Sequence, residues 1–198
     1  MSYRVWQESD RTPQDALRHH VCLALLSIPA TTGIQDTRAL LAEALKEVQE
    51  ELNSGDENAR RRVITELIRT IGAFNHEALH SSDDWRLYNA LRSAAITRND
   101  NDPMVIELLE EGESRLITEY AALYQELADA LGLTLRDGLT MEQFTAASNA
   151  LNEGLSIRRT SGYERTGIHL ASDEGDDPKE WTLFSIGLEA LVRHFFNL

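Results

Sequence analysis

The sequence predicts an all-α fold, a bundle of about seven helices, and three observations carry that expectation. Sustained period-two alternation, the mark of a half-buried strand, is missing. Helix-start signals recur instead: Thr12–Pro13, Asp102–Pro103 and Asp177–Pro178 each set a side-chain acceptor at the N-cap. The proline that follows occupies the first helical position, where its missing N–H costs nothing. Apolar residues also recur at helical spacing, with Ile64, Leu67, Ile68, Ile71, Phe74 and Ala78 on one stripe and Val105, Leu109, Leu116, Tyr120, Leu123 and Leu127 on another.

These signals place helices near 13–28, 36–53, 56–80, 83–97, 102–132, 140–160 and 178–197. Gly55–Asp56 closes one helix and opens the next, and Gly132–Leu133 has the form of a glycine C-cap with its apolar contact. Thr140 and Gln143 have capping-box spacing. The segment from Thr160 to Pro178, rich in Gly, Ser and acidic residues, reads as a loop between the last two helices. Residues 13–198 are expected to form one domain, preceded by a short linking segment, 1–12.

A chain of 198 residues can bury one sizeable core. Its charge is more telling: 33 acidic against 19 basic residues give a net −14. Duplex binding rests largely on neutralising phosphates, so the chain as a whole is expected to be repelled by DNA. The lone cysteine, Cys22, sits in an apolar run as a small buried thiol would. The apolar stretch Val21–Ile28 is too short to span a bilayer, and the N-terminus is polar. A cytoplasmic protein that does not enter membranes is the expectation. No Gly-rich phosphate loop, nucleophile elbow or paired Glu-x-x-His helix is present, so neither enzyme activity nor a cofactor is expected.

The last two helices carry more apolar surface than one subunit readily hides. In the final one, Trp181, Leu183, Phe184, Ile186, Leu188, Leu191, Val192, Phe195 and Phe196 cover most of the circumference. In the preceding helix, Phe144, Ala147, Leu151 and Leu155 form one face, with Ala146, Ala150, Gly154 and Ile157 roughly opposite. Mostly small residues let another helix approach closely. The pattern predicts a homodimer joined by a four-helix bundle, through Ala146, Ala150, Gly154 and Ile157 with Trp181, Phe184, Leu188, Leu191 and Phe195. A central helix pair within a monomer is the alternative.

The run Asp102-Pro103, Tyr120-Ala-Ala-Leu-Tyr124, Leu131-Gly132-Leu133-Thr-Leu-Arg136-Asp-Gly138-Leu-Thr140 and Leu151-Asn-Glu153-Gly154-Leu155-Ser-Ile157-Arg158 resembles the C-terminal half of TetR-family transcription regulators. Trp181-Thr-Leu-Phe184 followed by Leu188-Glu-Ala-Leu191 resembles their last helix, and the likeness is best over residues 80–198. Near the start, Ser2-Tyr3-Arg4-Val5-Trp6-Gln7 is similar to the segment that closes the family's DNA-reading helix, while the helix-turn-helix that precedes it in the family is not in this sequence. The resemblance implies an effector-sensing and dimerisation domain that does not bind DNA by itself. A helical dimerisation or interaction protein without a ligand is the rival reading.

The resemblance also implies a small-molecule cavity among the helices. Asn75 lies in line with Ile71 and Ala78, Arg92 with Trp85 and Tyr88, and Tyr120 with Leu116 and Leu123. Together with Tyr124 these polar and amphipathic residues are the expected pocket: Asn75, Trp85, Tyr88, Arg92, Tyr120 and Tyr124. Arg92 would favour an anionic or carbonyl-bearing effector. The alternative is that Asn75 and Arg92 find protein partners in a solid core. His76-Glu77-Ala-Leu-His80 matches the zinc-protease pattern His-Glu-x-x-His. At about 100° per residue, however, His76 and His80 fall opposite the apolar stripe, beside Arg62 and Arg69, and Arg86 stands where a third histidine would follow. A helical zinc enzyme built on His76 and His80 is therefore the weaker alternative.

Overall fold

The computed structural model describes residues 34–97, 103–163, 167–171 and 177–198. The expected helix at 13–28, Cys22 and the Tyr3–Trp6 segment lie outside them. Seven helices are described: α1 (Ile34–Glu47), the single turn α2 (Gln49–Leu52), α3 (Glu57–Ser81), α4 (Asp83–Thr97), α5 (Pro103–Ala130), α6 (Met141–Thr160) and α7 (Leu183–Phe195). The four short strands are β1 (Thr134–Leu135), β2 (Ile168–Leu170), β3 (Lys179–Trp181) and β4 (Phe196–Asn197). They pair antiparallel as β1 with β4 and β2 with β3. The chain is predominantly helical, as the sequence predicts.

Two compact units divide the described residues, Asp83–Glu113 in one and 34–82 with Ser114–Leu198 in the other. In the smaller, Arg92 lies 3.7 Å from Glu113 and Asn89 is buried. In the larger, α3 is the central helix, packed against α1, α6 and α7.

Local chemistry fixes the main boundaries. Gly55, at φ +75°, turns the chain into α3, and the Asp56 carboxylate accepts the Asn58 N–H at 2.9 Å as its N-cap. Thr140 and Gln143 form a complete capping box at the start of α6. After α5, Gly132 adopts φ +62° and the Leu133 N–H returns to the Ala128 carbonyl at 2.8 Å, a Schellman closure. Arg60 reinforces it by donating to the Leu131 and Gly132 carbonyls.

The last helix departs from expectation. Asp177–Pro178 leads into the extended β3, and α7 begins only at Leu183, where the Thr182 hydroxyl caps the Ser185 N–H at 3.0 Å. The segment read as an irregular loop contains β2, which pairs with β3 just beyond it, Ile168 opposite Trp181. At the other end Arg136 donates to the Phe196 and Arg193 carbonyls, fastening the C-terminal strand after α7.

Helices α3 and α7 meet closely at Gly72. A β-carbon there would lie 2.9 Å from the Ser185 hydroxyl and 3.3 Å from its Cα. Ser185 is fully buried and donates to the Arg69 carbonyl at 3.0 Å. Because backbone cannot give way as a side-chain tip can, Gly72→Leu should lower unfolding free energy by about 2–3 kcal/mol, measured by urea denaturation.

Candidate functional site

The periodicity of α3 positions the larger unit's centre, but not on the stripe expected. Val63, Ile64, Leu67, Ile71, Gly72, Asn75 and His76 are its buried face, while Phe74 is exposed. His76 therefore does not project to solvent, because the core-facing line passes through it rather than through Phe74. Its Nδ1 lies 2.7 Å from the Asn152 side-chain oxygen, and its ring stacks on Phe184 at 5.8 Å. His80 is half-buried one turn on. Among the described residues, no group of three or more His, Cys, Asp or Glu could hold a metal ion.

Helix α6 faces the core with a largely polar stripe. Met141, Phe144, Thr145, Ser148, Asn152 and Ser156 are buried there, and Leu151 and Leu155 are only half-buried. Ser148 pairs with the Tyr124 hydroxyl at 3.3 Å, and Asn152 with His76. These partners meet the requirement that buried polar groups be bonded. Thr145 Oγ1 and Asn149 Nδ2 are buried without a partner.

Beside this stripe lies an apolar cavity of about 60 Å³. Its walls come from α1, α3, α5, α6 and α7, with Ile71, Leu127, Phe144 and Leu188 among the apolar groups and Thr37, Asn75 and Tyr124 the polar ones. Phe144 meets Tyr124, Phe195 and Phe196 edge-on at 5.1–5.5 Å, building the aromatic end. Burial pushes the Tyr120 and Tyr124 phenols above their ordinary value, so both are neutral donors near pH 7.

Of the six expected pocket residues, Asn75 and Tyr124 line this cavity. Tyr120 is buried next to Tyr124, ring centres 6.0 Å apart, without lining it. Trp85, Tyr88 and Arg92 belong to the other compact unit, and each is half-buried there. The aromatic end supplied by Phe144 and Phe196 was not anticipated, since it depends on the β1–β4 pairing that returns the C-terminus to α6.

The outer side of α6 and α7 forms a second feature. Ala146, Ala150, Gly154 and Ile157 are exposed, Ile157 to 51%, and a β-carbon at Gly154 would meet nothing. On α7, Ala190 is exposed and Leu183, Ile186, Gly187 and Leu191 are half-buried. Leu151 lies against Gly187, joining the two helices into one surface. By contrast, Trp181, Phe184, Leu188 and Phe195 are enclosed by their own chain, with exposures of 0–9%. These four belong to the subunit's core. The outward stripe of α7 is Leu183, Ile186, Gly187, Ala190 and Leu191, one face round from them.

No family model, curated protein or solved structure matches the chain. Among the described residues, no helix is long and apolar enough to cross a membrane.

Charge organises the rim. Arg159 donates to Glu77 at 2.6 Å and, with a smaller opposing effect from burial, holds that carboxyl below its ordinary range. Arg69 does the same to Glu66, aided by Lys179. A carboxylate depressed in the folded state adds stability above its unfolded pKa and loses that contribution as pH falls through the folded value. Both groups are more than a third exposed, so solvent screening holds each contribution under about 1 kcal/mol. The double variant Glu66→Gln, Glu77→Gln should therefore lose less stability than wild type between pH 6 and pH 3, read from urea midpoints.

Proposed function

We propose that this chain is the effector-sensing and dimerisation domain of a TetR-like transcription regulator, acting in the cytoplasm. The observation that carries the reading is the outer face of α6 and α7, where small and apolar side chains stand without a partner in the subunit. Two copies related by a two-fold axis would bury it as a four-helix bundle. Dispersed surface apolar groups need no explanation, but a continuous stripe along two adjacent helices marks an interaction site.

The cavity favours a sensing domain over a ligand-free interaction module. A molecule bound among α1, α3, α5, α6 and α7 would touch the same helices that form the outer face. Differential binding to two arrangements of those helices is what a regulatory effector requires. The net charge of −14 supports the reading that this chain does not bind DNA by itself.

Light scattering at micromolar concentration tests the reading. The expected mass is twice the 22.3 kDa of the chain. A monomer at that concentration would overturn the dimerisation reading, and specific operator binding by the 198-residue chain would overturn the charge argument.

A further inference from the structure

The cavity also carries information about what could occupy it. Its volume of about 60 Å³ is well under the roughly 150 Å³ that holds a benzene-sized ring, so it suits a ligand of a few non-hydrogen atoms. No charged side chain lines it, so an ionic ligand would lose its hydration without compensation. The polar lining is limited to Thr37, Asn75 and Tyr124, and the Tyr124 hydroxyl is already engaged with Ser148.

Asn75 is the informative residue. It is 9% exposed, on the core face of α3, and belongs to the cavity lining. Thr37 of α1 belongs to the same lining, and its hydroxyl is buried without a partner. A buried hydroxyl left without a partner is costly, and the great majority of buried polar groups in folded proteins have one. An unpaired hydroxyl and an amide in an otherwise apolar lining supply the polar anchors of a binding site, the rest of which gives apolar contact.

We infer that this cavity binds a small neutral molecule of a few non-hydrogen atoms, apolar except for one oxygen that hydrogen-bonds to the Asn75 carboxamide: a short-chain ketone or alcohol. The inference rests on the effector-sensing reading only for the regulatory meaning of that binding. Arg92, in the other compact unit and facing Glu113, plays no part in it.

Methyl-resolved NMR of the full chain, titrated with acetone and with the apolar isostere isobutene, tests the proposal. Acetone should shift the Ile71 and Leu188 methyls saturably, and isobutene should bind at least tenfold more weakly. Asn75→Leu, which keeps the side-chain shape, should bring the ketone down to the hydrocarbon's affinity. Ala128→Val, which narrows the cavity, should weaken both ligands. Failure of acetone to shift those methyls, or equal affinity for the two probes, overturns the proposal. Retention of ketone affinity in folded Asn75→Leu does so as well. The mass measured on the same samples separates this inference from the wider reading. A dimer that binds neither probe rejects the ligand class alone, while a monomer that binds the ketone rejects the dimerisation reading alone.

Discussion

Phe184→Ala is expected to lower unfolding free energy by about 3–5 kcal/mol, the cost of removing a fully buried phenylalanine and leaving a void. Phe184 has 0% exposure and stands on the inward face of α7, stacked on His76 across the α3 contact. Its removal strips that face of the imidazole and leaves the His76–Asn152 hydrogen bond without its apolar cover. Ser185, the next residue, holds the Gly72 approach, so the surrounding backbone has little freedom to collapse into the void. Urea denaturation monitored by helical circular dichroism measures the loss, with protein concentration fixed because dimerisation would couple to stability. The mass of the folded fraction should stay unchanged. A loss under about 1 kcal/mol would mean that the α3–α7 contact is not the centre of the core.

Phe184 also shows how far sequence periodicity reaches. A helix apolar over most of its circumference reveals that it is buried on more than one side, but not which stripe meets which neighbour. The assignment of Trp181, Phe184, Leu188 and Phe195 to a partner reversed the two faces of α7. The same ambiguity turned α3 by part of a turn. With Phe74 and Ala78 taken as markers of the core, His76 fell on the solvent side, whereas the buried line runs Ile64, Leu67, Ile71, Asn75. Local chemistry was more legible. Asp56, Thr140 with Gln143, Gly132 and Pro103 act within one helical turn, and each boundary they signal is present. Asp177–Pro178 carries the same signal and opens no helix, because Lys179–Trp181 pairs with Ile168–Leu170 instead.

The polar stripe of α6 was the least legible feature. Thr145, Ser148, Asn152 and Ser156 recur at helical spacing, yet their types suit a solvated face. Ser148, Asn152 and Ser156 are matched by hydrogen bonds from Tyr124 and His76, far along the chain, whereas the Thr145 hydroxyl is not. Such pairing leaves no trace in local hydropathy. The cavity shares that origin. Asn75 and Tyr124 could be singled out as polar groups on apolar stripes, but Phe196 enters only through the β1–β4 ladder and Arg136.

Ala150→Arg should separate the two faces of α6 most sharply. Ala150 is exposed in the subunit, midway along the stripe of Ala146, Gly154 and Ile157, so an arginine there costs the isolated fold little. In a symmetric bundle, each copy of the residue faces its counterpart near the two-fold axis, and the substitution places two guanidinium groups where only small side chains fit. Like-charge juxtaposition in an interface costs several kcal/mol, on the order of a thousandfold in Kd. Sedimentation velocity at micromolar concentration should then show a monomer with unchanged helical content. Ala122→Arg, on an exposed position of α5 away from that stripe, is the control and should leave the mass as it was. If both variants sediment alike as dimers, the outer face of α6 lies outside the interface. Ile157 and Leu191 would then be apolar surface of another kind.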